Sequence, residues 1–249
     1  MYAMILLSKP GPEKLRSLRC CFSAGEALPK SVSEAWLELT GIDIWQGYGS
    51  TEVMTFVIGS KPPRATPGKT GWTVPPYEIE ILDAEGRPVP DKVPGHLVTR
   101  GPSIMAEYLN EPEWTRRAFT PDGFLFTGDM AEREEGVYTI LGRMDDMFKA
   151  GGLWIPPIRV EEALLSHPAV ARCAVTGGMA AGFTLIQAHV VPGPGAAPGP
   201  ELAGELRRHA AQGLPDFMVP SEILFRESLP MTPTGKVQRY KLRTRGPSM

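Results

Sequence analysis

The chain has 249 residues, enough for one large domain or two small ones. Hydrophobic residues make up 42% of the sequence and charged residues 22%, which is ordinary for a soluble globular protein. The formal net charge is −2 and there is no long basic run, so neither nucleic acid nor an anionic membrane is expected as a partner.

The three cysteines are odd in number and two are adjacent, which is typical of reduced thiols in a cytoplasmic protein. No Cys/His spacing indicates zinc, and the four histidines are interpreted as structural or surface residues. The opening "MYAMILLSK" lacks a basic flank and is too short to span a bilayer. It is interpreted as the end of a core helix, and the chain is therefore expected to begin inside a longer fold.

Residues 1–60 are predicted to be the remnant of an α/β layer. "LRCCFSA" reads as a buried strand, and "SVSEAWLELTG" as a helix with Trp36 inward and Gly41 as its stop. "IDIW" is a second strand, which leads into the glycine-rich "QGYGSTE". Strand, helix and strand in this order are typical of an α/β arrangement.

Residues 61–144 are predicted to form a β-rich, barrel-like subdomain, because glycine and proline punctuate several strand-like runs. In "YEIEILD", Ile79 and Ile81 alternate with glutamates, and hairpin turns are expected at residues 85–86 and 135–136. Only "EPEWTRRAF" reads as a helix. Together, residues 1–144 are predicted to be part of a large domain.

Residues 145–249 are predicted to form a small, mobile α+β domain after a hinge. "RVEEALLSHP" and "ELAGELRRHAAQG" read as amphipathic helices, and "VARCAVTG", "FTLIQAHVV" and "EILF" as strands. The chain closes with a Gly-Lys pair in "LPMTPTGKVQRYKLR". This pair is not a P-loop, because Pro230 and Val237 occupy the positions where that motif needs glycine and Ser/Thr.

Four stretches, "GYGSTE", "FTGDM", "GRMDDMFKAGGLWIPPIRVE" and "MTPTGKVQR", together resemble the AMP-forming acyl-CoA synthetases of the adenylate-forming superfamily. They follow one another in the family's order, and the resemblance covers essentially the whole chain. "SAGEALP" and "TGKVQRYKLR" are most similar to benzoate and other aryl-CoA ligases. The resemblance implies ATP/AMP, Mg²⁺ and coenzyme A as cofactors or substrates, and a small carboxylic acid as the group transferred.

The resemblance also implies roles for individual residues of the first domain. Gly25 and Glu26 fall in the family's adenine-side segment, whereas Tyr48 and Gly49 border the adenine. Thr51 serves the phosphates and Glu52 is the magnesium ligand, since a carboxylate is a hard oxygen ligand. Asp129 takes the ribose hydroxyls, and Arg143 supports the ribose or phosphate.

Further along the chain, the resemblance makes Asp145 the hinge and Lys236 the catalytic cation that meets the carboxylate and the α-phosphate. Gly151 and Gly152 would leave room for the pantetheine arm of coenzyme A; the alternative is a loop with glycines at positive φ. Each stretch taken alone has an ordinary structural interpretation, such as a solvated turn lysine for Lys236 or a structural aspartate for Asp129.

The sequence departs from the family at several places. It contains no Ser/Thr/Gly-rich loop ending in Pro-Lys, which the family uses to hold β- and γ-phosphates; Ser23–Lys30 imitates it only superficially. Arg159 replaces the first glutamate of the usual Glu-Val-Glu, and Thr55 stands where aryl ligases often carry histidine. These departures leave the acid unidentified and the activity of the isolated chain open.

Three alternatives therefore remain at this stage. The chain is part of a carboxylate–CoA ligase, or it is a truncated, non-catalytic module that binds nucleotide or CoA, or that pairs with an N-terminal half or with another copy of itself. The third, a peptide-synthetase adenylation domain, is disfavoured because no carrier segment follows Lys236.

Overall fold

A computed structural model describes residues 1–25, 28–60, 68–180, 182–233 and 235–243. The chain divides into two compact units, Met1–Leu141 and Gly142–Met249. Each unit has hydrophobic clusters of its own. The proposed domain boundary between residues 144 and 145 stays a prediction, as does the hinge role of Asp145.

The first unit opens with a four-stranded sheet whose strands run in sequence order. Its helices and strands are α1 (Tyr2–Leu7), β1 (Cys21–Ala24), α2 (Lys30–Thr40), β2 (Ile44–Gly49), β3 (Phe56–Gly59) and β4 (Trp72–Thr73), with a 3-10 turn at Pro12–Lys14. Strands β1 and β2 are parallel and the other pairs are antiparallel. This arrangement confirms the predicted strand–helix–strand order.

A small apolar cluster holds α2 against this sheet. Trp36 and Ile44 are almost fully buried there, together with Cys21 and Leu28. Helix α1 forms as expected, but none of its residues is fully buried. Tyr2, Ile5 and Leu6 pack against the cluster, whereas the other side of α1 is exposed, so the interpretation of this stretch as a core helix is supported for one side only.

The rest of the first unit is a second four-stranded sheet, in the order β5 to β8. Its strands are β5 (Glu78–Leu82), β6 (Gly95–Arg100), β7 (Leu125–Glu134) and β8 (Val137–Arg143), the last of which crosses the boundary between the units. Helix α3 (Pro112–Ala118) lies between β6 and β7 in the chain. Ile79 and Ile81 are buried, as their alternation predicts. Glu135 and Gly136 both have positive φ, as a tight β-hairpin requires.

The expected barrel-like shape is corrected by this second sheet, which is open. Among the described residues, β5 and β8 lie at opposite edges and do not pair with each other. Four strands are too few to curl around a core of side chains, since even small barrels typically use about eight. The prediction of a β-rich subdomain is confirmed, whereas the prediction of a barrel-like shape is not.

The second unit packs two helices on a three-stranded sheet, as an α+β domain. It contains β9 (Phe148–Ala150), β10 (Leu153–Ile155), α4 (Pro157–Leu165), β11 (Val170–Ala180), β12 (Phe183–Pro192), α5 (Pro200–Gly213) and β13 (Glu222–Phe225), with 3-10 turns at Met144–Asp146, Asp216–Met218 and Arg239–Lys241. Strands β11 and β12 are antiparallel, and β12 and β13 are parallel. The predicted helices and strands are confirmed.

The core of the second unit lies between the two helices and the sheet. Val160 and Leu164 of α4 and Leu206 of α5 are fully buried against apolar residues of β11 and β12. In the part of the chain that the structure describes, no helix combines the length and apolar character needed to cross a membrane.

Candidate functional site

Several predicted nucleotide-binding residues lie at one edge of the first sheet. Ala24 at the end of β1 pairs with Gly47 in β2, so the carboxyl ends of these two parallel strands lie side by side. Gly25 follows β1, and Tyr48 and Gly49 end β2. This is the edge where open α/β sheets bind ligands. Glu26 lies outside the described residues.

Tyr48 and Asp129 meet, although they are 81 residues apart in the chain. The Tyr48 hydroxyl donates to Asp129 Oδ2 at 2.5 Å, and both residues are half-buried. Thr127 Oγ1 accepts the backbone N–H of Asp129 at 3.2 Å and donates to the Leu97 carbonyl at 2.9 Å. Two residues that the sequence assigned to adenine and ribose therefore form one hydrogen-bonded pair.

Glu52 is held at both its backbone and its side chain by the segment that follows β6. The Tyr108 hydroxyl donates to Glu52 Oε1 at 3.1 Å, and the Met105 N–H donates to the Glu52 carbonyl at 2.8 Å. Thr51, the neighbouring residue, is exposed. Tyr108 was missed by sequence reasoning, because no local pattern links it to a residue 56 positions earlier.

A magnesium ion at Glu52 is compatible with this geometry. The described residues contain no group of three or more His, Cys, Asp or Glu side chains placed to hold a metal by themselves. In nucleotide-dependent enzymes, however, Mg²⁺ is commonly bound by one or two carboxylates together with the substrate phosphates. A single half-buried carboxylate such as Glu52 fits that role.

Gln46 is a second residue that the sequence did not single out. It is 7% exposed; its Nε2 donates to the Lys69 carbonyl at 3.0 Å, and its Oε1 accepts the Leu28 N–H at 3.4 Å. It thereby connects the segment after β1 with the segment before β4. A polar residue two positions after the buried Ile44, on the same side of a strand, was the available signal.

In the second unit, Gly151 and Gly152 form the turn of a β-hairpin. Ala150 pairs with Leu153, which leaves a two-residue loop, and the two glycines have φ of +58° and +81°. Two positive φ values define the twisted turn that favours glycine at both positions. The hairpin explains both glycines structurally, and the coenzyme A passage stays a prediction.

Arg143, Asp145 and Lys236 lie in the second unit, whereas Tyr48 and Asp129 lie in the first. Arg143 and Asp145 are exposed, at the end of β8 and within the 3-10 turn Met144–Asp146. Lys236 is also exposed; its N–H donates to Thr232 Oγ1 at 3.0 Å, and its carbonyl accepts the Thr232 N–H at 2.7 Å. The Gly-Lys pair therefore sits in a turn whose backbone is closed by hydrogen bonds.

A buried ion pair anchors the chain after this turn. Arg239 donates to both carboxylate oxygens of Glu161, at 3.1 and 2.8 Å, and Glu161 is 6% exposed. The sequence offered one signal for this ion pair: Glu161 is an acidic residue next to the core residue Val160 on helix α4. A carboxylate buried there needs a partner of opposite charge or a hydrogen-bond donor. Burial, with a smaller effect from the Glu161 charge, raises the pKa of the nearby Cys173 thiol well above its ordinary value.

Two family models and a curated relative match this chain. The family model described as AMP-binding enzyme matches residues 1–109, and the model of the AMP-binding enzyme C-terminal domain matches residues 159–236. A benzoate–CoA ligase from Thauera aromatica is 36% identical over 248 residues, which are 98% of this chain and 47% of the relative.

Solved structures give the same result. An anthranilate CoA ligase in complex with anthranoyl-AMP is 37% identical, with a TM-score of 0.85 over 92% of this chain and 44% of that protein. An o-succinylbenzoate coenzyme A synthetase from Bacillus subtilis, in complex with ATP and magnesium, is 28% identical, with a TM-score of 0.83 over 96% of this chain and 49% of that protein. The chain spans about half the length of the relatives it matches.

The two family models lie in the order of the two units, and the fold matches that of the adenylate-forming enzymes along nearly the whole chain. Gly25, Tyr48 and Gly49 at the edge of the first sheet are among the residues that the motifs pointed to. This chain belongs to the family of AMP-binding enzymes, among which it is similar to the benzoate–CoA ligases.

Proposed function

We propose that the chain is the AMP-binding and CoA-handling portion of an AMP-forming carboxylate–CoA ligase. The observation that carries the proposal is the Tyr48–Asp129 hydrogen bond, which joins two of the predicted nucleotide residues. An ionised carboxylate has about four lone-pair sites. Asp129 can therefore accept the Tyr48 hydroxyl together with the hydroxyls of a ribose.

The reaction has two steps, and both follow from the chemistry of the substrates. A carboxylate oxygen of the acid attacks the α-phosphorus of ATP, which forms an acyl-adenylate and expels pyrophosphate. The coenzyme A thiol then attacks the acyl carbon, so that a thioester forms and AMP leaves. Mg²⁺ at Glu52 would reduce the negative charge of the phosphates when bound.

Lys236 is the cation for the first step, in which two anions must approach each other. Its ammonium group can contact the incoming carboxylate and the α-phosphate oxygen as a point charge on a flexible stem. Its exposure and the two hydrogen bonds between its backbone and Thr232 support this role, since the side chain lies at the surface and its backbone is held. The hinge role of Asp145 would allow this lysine to be withdrawn before the thiol attacks.

The prediction that tests the nucleotide site concerns Asp129. We expect the chain to bind AMP weakly and Asp129→Asn to weaken that binding about tenfold, because replacing a charged acceptor costs roughly 1.5 kcal/mol. Isothermal titration calorimetry measures both dissociation constants. Asp122→Asn is the matched control, since Asp122 is an exposed aspartate bonded to Thr120, and it should leave binding unchanged.

Equal AMP binding by the wild type and Asp129→Asn would remove the role given to Asp129, and no AMP binding at millimolar nucleotide would reject the site.

We further propose that this chain does not form adenylate alone, because its 249 residues contain no Ser/Thr/Gly-rich loop ending in Pro-Lys. Robust ATP–pyrophosphate exchange by the purified chain would contradict this. Lys236→Ala should change AMP binding little here, and should abolish adenylation in a version that carries the loop.

A second candidate function, a module that pairs with another chain, is favoured by exposed aromatic residues on the first sheet. Phe22 and Phe56 are 46% and 41% exposed, and their ring centroids lie 5.2 Å apart on either side of Gly47. Sheets with parallel strands usually bury both faces. A monodisperse monomer by gel filtration with light scattering at high concentration would count against self-pairing.

A further inference from the structure

The ion pair between Glu161 and Arg239 uses the whole of the Glu161 carboxylate. Arg239 Nε donates to Oε1 at 3.1 Å and Arg239 Nη2 donates to Oε2 at 2.8 Å, which is a bidentate contact. Oε1 also accepts the N–H of Val175 in β11 at 2.8 Å. Helix α4, strand β11 and the 3-10 turn Arg239–Lys241 are therefore joined at one buried carboxylate.

The same guanidinium also reaches the start of the second unit. Arg239 Nη1 donates to Asp146 Oδ2 at 3.2 Å, and Arg243 Nη2 donates to Asp146 Oδ1 at 3.3 Å. Arg243 Nη2 also donates to the carbonyl of Asp145. The segment after Lys236 is thus bonded to the 3-10 turn that contains Asp145.

The turn that carries Lys236 is closed at its base and joins the body of the unit on both sides. Gln238 N–H donates to the Pro230 carbonyl at 2.8 Å, and Met231 pairs with Val237, which closes the base of the turn. On one side of it, Leu229 is buried in the unit. On the other side, Arg239, three positions after the lysine, bonds Glu161 and Asp146 in the body of the unit.

We propose that Arg239 is the positioning residue for Lys236: through Glu161 and Asp146, its guanidinium holds the Lys236 turn in a fixed place in the second unit. This inference rests on the proposed function of Lys236. A cation that stabilises charge in a reaction must be held in place beforehand, because a displacement of about 1 Å can cost on the order of 100-fold in rate. Since the Asp146 contact adjoins Asp145, the lysine and the proposed hinge move as one body.

The test measures amide hydrogen exchange by mass spectrometry in the full 249-residue chain. In a double variant, Glu161→Gln with Arg239→Met, the anchor is removed without leaving a buried unpaired charge. The amides of Lys236 and Gln238 are expected to exchange at least about tenfold faster, which corresponds to about 1.4 kcal/mol of lost protection. Amides in the β11–β12 ladder, which do not include the Val175 N–H bonded to Glu161, should exchange as in the wild type.

Leu206→Ala is the control for a general loss of stability, because Leu206 is fully buried in α5 within the apolar cluster of the second unit. It should lower the melting temperature without accelerating exchange at Lys236 under native conditions. Unchanged exchange in the double variant, or equal acceleration in Leu206→Ala, would overturn the proposal.

A conservative variant tests the bidentate geometry. In Arg239→Lys, a single ammonium can bond Glu161 or Asp146 but cannot reproduce the planar fork, so exchange should lie between that of the wild type and that of the double variant. If the Lys236 and Gln238 amides of Arg239→Lys exchanged as in the wild type, the bidentate contact of the Arg239 guanidinium would not be needed to hold the turn. Because none of these measurements uses nucleotide, they decide the positioning role even if the AMP titration rejects the proposed function.

Discussion

Gly49→Ala is expected to lower the free energy of unfolding of the first unit by about 3 kcal/mol and to disorder the turn that carries Glu52. A Cβ atom at residue 49 would lie 1.9 Å from the Thr55 carbonyl oxygen and 3.2 Å from the Phe56 Cα. Gly49 pairs with Phe56 at a register shift between β2 and β3, where the two backbones come close. Because the clash is with backbone, no side-chain rotation can relieve it.

Urea unfolding followed by tryptophan fluorescence measures this effect, since Trp36, Trp45, Trp72 and Trp114 belong to the first unit and only Trp154 to the second. The matched control is Gly59→Ala in β3, whose added Cβ would meet its neighbours at 3.5 Å, an ordinary contact. That variant should change stability by less than about 1 kcal/mol. Equal unfolding midpoints for the two variants would show that the backbones separate easily at Gly49.

AMP binding should be lost in Gly49→Ala at temperatures where the unit is still folded. The residue lies directly after Tyr48, whose hydroxyl bonds Asp129, and three positions before Glu52. A shift of the β2 end large enough to relieve the overlap must therefore move groups proposed to hold the nucleotide. If a folded Gly49→Ala chain kept its AMP affinity, Gly49 would not be needed for the nucleotide site.

What the sequence predicted well was local. Alternating Ile79 and Ile81, the helical face around Trp36 and the hairpin at residues 135–136 depend on neighbours within a few positions, and each was confirmed. The motifs also pointed to Tyr48 and Asp129, which share a hydrogen bond in the structure, while their roles toward a nucleotide stay predictions. That identification came from resemblance, because no physical rule links two residues 81 positions apart before the fold is known.

What the sequence could not predict depends on contacts between distant segments. The open second sheet was expected to be barrel-like because strand content is visible locally, whereas closure depends on which edges meet. Tyr108 on Glu52 and Arg239 on Glu161 are 56 and 78 residues from their partners, and both were missed. Gly151 and Gly152 show the opposite case. The resemblance assigned them to the passage for coenzyme A, but the hairpin turn alone explains why glycine occupies both positions.

The second unit is expected to lose about 3 kcal/mol of stability between pH 7 and pH 4 because of one histidine in its core. His189 in β12 is fully buried; burial, with a smaller effect from the Arg226 charge, lowers its pKa from 6.5 to about 4. Arg226 Nε donates to Nδ1 at 3.4 Å, so the other ring nitrogen, 3.1 Å from Thr176 Oγ1, carries the proton in the neutral ring. Both contacts suit an uncharged imidazole.

The direction of the pH effect follows from proton linkage. Below pH 6.5 the unfolded chain protonates His189 and the folded chain does not, so the unfolded state binds more protons and stability falls as the pH falls. The contribution is complete above the unfolded pKa of 6.5 and is lost progressively down to the folded pKa of about 4. A difference of this size corresponds to about 3 kcal/mol, since each pKa unit is worth about 1.4 kcal/mol.

His189→Gln is the control, because glutamine keeps a donor and an acceptor at a similar place and does not titrate. Urea unfolding of the full chain, followed by circular dichroism at pH 7, 5.5 and 4, should give a shallower pH dependence for His189→Gln than for the wild type. Imidazole ¹⁵N chemical shifts should report directly a His189 that stays neutral at pH 5. A ring that titrates near pH 6.5 in the folded chain would contradict the prediction, because a histidine with the same pKa in both states contributes no pH dependence.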